Sequence, residues 1–172
     1  MIPPPAIPNE TARMEAVESL ALMYTPAEER FDRITRLATR LLETPIALVT
    51  LVSEEKQWFK SSVGLDVAET SRDVSFCGHA IASDSTLVIE DAQADERFAD
   101  NPLVTGDPNI RFYAGHPIHA SDGSRVGTVC VIDRRTRTFT EQDRAALRDL
   151  AAICENEIAR AQVSDAHRDL VE

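Results

Sequence analysis

The sequence predicts an α+β domain in which helices gather on one face of a mostly antiparallel sheet. Three observations predict it. Ile46 to Val52 and Val126 to Ile132 are almost wholly apolar and read as central strands covered on both faces. Ser121-Asp122-Gly123-Ser124, just ahead of the second run, is a hairpin signal, and hairpins join antiparallel neighbours. Segments of helical periodicity stand at the two ends of the chain, outside the strands.

The elements follow in order. Residues 1–10, MIPPPAIPNE, form a proline-rich, flexible lead-in. A first helix is expected within residues 11–26, about Thr11 to Tyr24, with Met14, Val17, Ala21 and Tyr24 drawing one apolar stripe. Thr25 then caps a second helix with Pro26 at its first position and Glu28 closing a capping box. Phe31, Ile34, Leu37, Ala38, Leu41 and Leu42 make its buried face, and Pro45 ends it. After the first central strand and a polar turn, Gln57 to Val63 alternates, with Phe59 and Val63 on one face and Lys60 and Ser62 on the other. Leu65 to Ser75 is polar and irregular, Phe76 to Ala82 a short helix, and Thr86 to Glu90 a short strand. Asp91 to Asn109 is a long loop broken by Pro102, Gly106 and Pro108.

Ile110 to His119 alternates again. Ile110, Phe112, Ala114, His116 and Ile118 take one face, and Arg111, Tyr113, Gly115, Pro117 and His119 the other. Pro117 implies an edge or a bulge near that end. Thr140 caps the last helix with Asp143 completing its box. Leu147, Ala151, Cys154, Ile158 and Ala161 then follow at steps of four and three, a coiled-coil seam that fades after Ala161.

Composition bounds the function. A chain of 172 residues suits one domain with a helical extension, large enough to need no disulfide or metal staple. The net charge of −11 repels a phosphate backbone, which argues against general nucleic-acid binding. No apolar run approaches the ~20 residues that span a bilayer. Three cysteines without CxxC spacing argue against structural disulfides, so a reducing cytoplasm is expected.

Between Ser75 and Asp133, strands alternate with polar loops carrying Cys77, His79, Arg97, Phe98 and Asn101. That pattern builds a loop-roofed pocket over a sheet and points to small-molecule sensing. The motifs RDVSFCGHAI at Arg72 to Ile81, DERFADNPLV at Asp95 to Val104, RFYAGHPI at Arg111 to Ile118 and GTVCVID at Gly127 to Asp133 occur in order. With these residues, the chain resembles the GAF domain family over about residues 27–161, with residues 162–172 a helical extension or tail. The subgroup it resembles stands ahead of diguanylate cyclase or histidine kinase output domains in bacteria. The resemblance implies five or six antiparallel strands, terminal helices that pack on one face and form a homodimer, and a ligand pocket on the other face.

The candidate pocket residues are Arg72, Phe76, Cys77, His79, Asp91, Phe98, Asn101, Arg111, Tyr113 and His116. Arginine forks suit carboxylate or phosphate ligands, and the aromatic rings could stack on a flat one. Each has a structural alternative: Arg72, Arg97 and Arg111 can pair with nearby aspartates, and the rings can fill core. If Phe76 to Ala82 is helical, Cys77 and His79 point about 200° away from each other and cannot share a metal; if it is extended, they can. No second CxH or CxxC pair exists, so no tightly bound metal is expected. Cys130 and Cys154 read as core residues. Gly78 separates Cys77 from His79, whereas bilin-binding members of the family place His directly after the attachment Cys, so no bilin is expected. The ligand itself is not legible. The expected function is a non-catalytic, small-molecule-sensing and dimerisation module in signal transduction. The alternatives are a thiol oxidoreductase of the free methionine sulfoxide reductase type, with Cys77 as nucleophile, and a pure dimerisation scaffold.

Overall fold

The two apolar runs pair with each other at the centre of one six-stranded sheet. They are β1 (Ile46–Val52) and β6 (Arg125–Asp133), antiparallel, with Ile46 opposite Ile132 and Leu51 opposite Gly127. The others are β2 (Lys56–Val63), β3 (Glu69–Ser71), β4 (Leu87–Ile89) and β5 (Phe112–His119), and the order across the sheet is β3-β2-β1-β6-β5-β4. Every neighbouring pair is antiparallel. The computed structural model describes residues 1–171, with side chains through residue 162.

Side-chain alternation divides the core in two. Val49, Leu51, Phe112, Ala114, Val129 and Val131 point to one face, where α1 (Glu10–Leu20), α2 (Glu29–Leu42) and α5 (Glu141–Val171) pack. Leu48, Phe59, Tyr113, Cys130 and Ile132 point to the other. There α3 (Phe76–Ala80), α4 (Pro102–Thr105) and the loops cover them. Burial on both faces is why β1 and β6 read as unbroken apolar runs.

Several elements depart from the sequence expectation. Ala21 adopts a left-handed conformation and stops α1 after Leu20, so Ala21 and Tyr24 fall outside the helix and are exposed. The buried stripe of α1 is Arg13, Ala16, Val17 and Leu20. Arg13 is buried because its guanidinium pairs with Glu10 and donates to the Val52 carbonyl at 2.7 Å. The α2 helix starts at Glu29 rather than at Pro26, and Leu41 is exposed. Thr25 and Glu28 instead serve Lys60, whose ammonium donates to Thr25 Oγ1 and the Pro26 carbonyl and pairs with Glu28, each at 2.7 Å. Lys60 can turn inward because a bulge interrupts the β1–β2 register between Val49/Ser61 and Thr50/Phe59.

The polar stretch before Ser75 contains β3, a short edge strand that had no sequence signal. The long loop is not bare, since it holds α4 and a single 3₁₀ turn at Ala92–Ala94. The lead-in is laid across the roof: Ile7 is buried, the Ile2 amide donates to the Arg97 carbonyl while the Ile2 carbonyl meets His79 Nε2, and a Cβ at Gly78 would strike Pro4.

Other expectations hold. Pro117 lies past the last β4–β5 pair, next to a bulge at Ile118/His119. Thr140 and Asp143 form a reciprocal capping box at 3.0 and 3.1 Å. Leu147, Ala151, Cys154, Ile158 and Ala161 are all buried, but against this chain's own sheet and helices. The seam is therefore consumed within the domain and is not a free coiled-coil surface. The surroundings of the 163–172 side chains lie outside the described residues.

Candidate ligand site

Roof and sheet do not meet everywhere. Between them lies a cavity of ≈ 180 Å³. Leu48, Gln57, Phe59, Tyr113 and Ile132 form its sheet wall. Thr70 on β3 adds to that wall, and Leu65, Phe76, Cys77, Leu103, Pro108 and Ile110 close the cavity from above. Asp66, Val67, Asp107 and Arg134, all exposed, stand at its rim. The roof is held by local caps. Ser75 accepts from the Gly78 amide and positions α3, and Asn101 accepts from the Leu103 amide while donating to the Val74 carbonyl. Phe98 stacks on Phe76 with ring centroids 4.1 Å apart, which fixes the aromatic roof from behind.

Gln57 carries the cavity's unfilled polar valence. The residue is only 4% exposed. Its Nε2 donates to Thr70 Oγ1 at 2.9 Å, and Thr70 in turn donates to the Ser71 carbonyl. Thr70 is thereby an acceptor toward Gln57, which orients the amide and leaves Oε1 buried without a donor. A buried orphan acceptor costs about 1–3 kcal/mol, so a ligand N–H or O–H at this position would recover that cost.

A second polar centre lies at the cavity wall. Tyr113 Oη and Thr128 Oγ1 each donate to Cys77 Sγ at 3.1 Å, and Cys130 Sγ lies 3.8 Å away. Burial opposes a charge on Cys77, but hydrogen bonds from Cys130, Thr128, Tyr113 and Thr50 outweigh it and bring the thiol down to about 7. Burial pushes Cys130 well up, as it does Tyr113, so both keep their protons. Gly115 makes room for this arrangement, since a Cβ there would sit 2.1 Å from Tyr113 Oη.

Of the ten residues expected in the pocket, Phe76, Cys77 and Tyr113 line the cavity. The others hold the fold. Arg72 pairs with Glu10 at 2.6 Å and donates to the Ser53 carbonyl, tying α1 to the β1–β2 turn. His79 bonds the Ile2 carbonyl and meets the edge of Phe98. Asp91 caps the 3₁₀ turn, and Asn101 caps α4. Arg111 donates to the Val104 and Ile110 carbonyls. Arg97 pairs with Asp95, as its neighbouring acids suggest. His116 bonds Thr86 Oγ1 on the helical side of β5, with Phe112 and Ala114. Ile110 precedes the strand, leaves that face and joins the cavity. Sequence reasoning missed Gln57, Thr70 and the rim residues. A polar Gln57 beside Trp58 and Phe59 was the one available signal.

Among the described residues, no cluster of three or more His, Cys, Asp or Glu is placed to hold a metal, and no helix is long and apolar enough to cross a membrane.

The sequence model of the GAF domain matches residues 26–158. A cyclic di-GMP phosphodiesterase of Pseudomonas aeruginosa is 42% identical over 154 residues, covering 89% of this chain. The chain spans only 26% of the length of that relative. The GAF domain of an Acinetobacter phosphoenolpyruvate-protein phosphotransferase has a TM-score of 0.65 at 16% identity, covering 90% of this chain and 98% of its own. Free methionine-R-sulfoxide reductase from Neisseria meningitidis has a TM-score of 0.64 at 17% identity, covering 96% and 98%. At such identities the two structures speak for the fold alone.

Proposed function

This chain belongs to the GAF domain family, and from that membership we propose that it is a regulatory, non-catalytic module that senses a small molecule in bacterial signalling. The observation that carries the reading is the cavity under the roof with its buried, unpaired Gln57 Oε1. An apolar cavity of about 150 Å³ accepts a benzene-sized body. The ligand is accordingly compact, uncharged and largely apolar, with one N–H or O–H for Gln57. A charged ligand is disfavoured because the acidic and basic side chains lining the site, Asp66, Asp107 and Arg134, stand at the rim, and a buried charge without a partner is costly.

The output partner in a longer chain is an enzymatic domain that makes or breaks a cyclic dinucleotide, on the support of the relative's phosphodiesterase name; the sequence subgroup also includes chains whose output is a histidine kinase. A homodimer would use the outer faces of α2 and α5, where Leu41 and Ile153 are exposed, because the α5 seam is already buried. A ligand shifts that pairing only through a difference in affinity between two arrangements of the helices.

The test is mass spectrometry of small molecules released from the purified, denatured chain, followed by thermal shift with neutral ring compounds carrying one donor. The expected result is a rise in Tm that Gln57→Met abolishes. Stabilisation of wild type only by charged ligands, or turnover of a sulfoxide, would overturn the reading.

A further inference from the structure

Two thiols meet at the cavity wall, one lining it and one beside it, and ligand recognition does not use them. Cys77 belongs to the five-residue helix α3, and Cys130 to the central strand β6. Their sulfurs are 3.8 Å apart, whereas a disulfide needs about 2.05 Å. Closing the gap takes a shift of about 1.8 Å. The short roof helix can supply it more readily than a strand bonded on both sides. The two sulfurs are not equivalent. Cys77 lines the cavity, whose rim reaches solvent at Asp66, Asp107 and Arg134, while Cys130 lies behind it. Two hydroxyls converge on Cys77. Thr128 is backed by Thr50, whose Oγ1 lies 2.9 Å from Thr128 Oγ1 and also accepts the Thr128 amide.

We propose that Cys77 and Cys130 form a hydroperoxide-responsive dithiol, with Cys77 the attacking thiolate and Cys130 the resolving thiol. Cys77 Sγ attacks the terminal, hydroxyl-bearing oxygen of a small hydroperoxide. The S–O bond forms, the O–O bond breaks, and the leaving hydroxide or alkoxide takes up from solvent the proton that Cys77 gave up on becoming a thiolate. Cys130 then attacks the sulfenic sulfur, the S–S bond forms, the S–O bond breaks, and the hydroxyl leaves with the Cys130 proton as water. The two thiols lose two electrons, and one hydroperoxide becomes water plus water or an alcohol. The convergent donors serve the first step, since they favour the thiolate that attacks. The lowered proton affinity of Cys77 agrees with this role. Cys154 is the built-in control, a thiol buried among the helices where burial and nearby Glu155 and Glu157 push it far up.

The closed bridge would draw α3 toward β6, removing the acceptor of Tyr113 and moving Phe76 in the cavity roof. The switch acts on the same cavity, yet its chemistry does not depend on the ligand.

The experiment treats the reduced full chain with equimolar hydrogen peroxide, alkylates under denaturing conditions, and maps the cysteines by mass spectrometry. The expected result is one Cys77–Cys130 linkage, a mass loss of two hydrogens, an alkylated Cys154, and full reversal by dithiothreitol. Cys130→Ser should trap the sulfenic acid on Cys77 for capture by dimedone, and Cys154→Ser should behave as wild type. Because substitutions in the core can impair folding, the wild-type map decides by itself. Unmodified thiols after peroxide, or sulfinic acid on Cys77 without the bridge, would overturn the proposal.

Discussion

Gln57 shows how one side chain can be legible in type and not in role. Its position beside Trp58 and Phe59 is plain in the sequence, but its lack of a donor follows only from where Thr70 lies on β3. Gln57→Met removes an orphan acceptor and one bond to Thr70. These terms, about 1–3 and about 0.5–1.5 kcal/mol, oppose each other. We expect stability in urea to stay within about 1 kcal/mol of wild type while ligand-induced stabilisation disappears. Glu10 gives a second test. Burial would raise its carboxyl, but hydrogen bonds and charges from Arg13 and Arg72 bring it down to about 2, from 4.5 in an unfolded chain. A depressed folded value means that its contribution is complete above 4.5 and fades as pH falls toward 2. Glu10→Gln should therefore lower the urea midpoint most near neutral pH, distinctly less at about pH 3, and hardly at all once the pH is below about 2, with solvent screening reducing the gain throughout. An equal loss at both pH values would show that the carboxylate charge is not what matters. Arg72 looked like a ligand residue for the same reason it holds this pair, because a guanidinium fork suits any carboxylate, and only the fold says whose.

At the scale of elements, legibility follows the range of the interaction. The Thr140–Asp143 box joins residues three apart and was readable. Thr140→Ala should cost about 1 kcal/mol in urea denaturation. Asp143→Ala should add little on top of it, because both remove one reciprocal device. Full additivity would mean that the two side chains act apart. The start of α2 was not readable. Thr25 and Glu28 satisfy a local capping pattern, yet both turn to Lys60, 35 and 32 residues on, because the β2 bulge swings that ammonium under the helix. The end of α1 was hidden as well, since the apolar stripe continues through Tyr24 while Ala21 takes a left-handed conformation. The edge strand β3 has neither alternation nor apolar content, and only its pairing with Lys56 to Trp58 makes it a strand.

For the whole molecule, the seam of α5 belongs to the domain's interior, while the opposite side of the helix is exposed. Leu147 has no exposure, whereas Ile153 is 46% exposed on the same helix. Leu147→Ala should cost about 2–5 kcal/mol in urea without dissociating the proposed homodimer. Ile153→Glu should lower the mass found by light scattering without lowering Tm. Dissociation by the first and not the second would return the interface to the seam. The sequence by itself determined the α+β class, the central strands, the roof over one face of the sheet and the family. These rest on burial periodicity and on motifs that each lie within about ten residues. It also marked Phe76, Cys77 and Tyr113 as pocket residues. Only the tertiary structure decided that Gln57 Oε1 is unpaired, that Cys130 stands beside Cys77, and that seven other candidates hold loops, caps and ion pairs. Those facts depend on partners brought together from distant parts of the chain, and no local pattern encodes which of two compatible partners a polar side chain will meet.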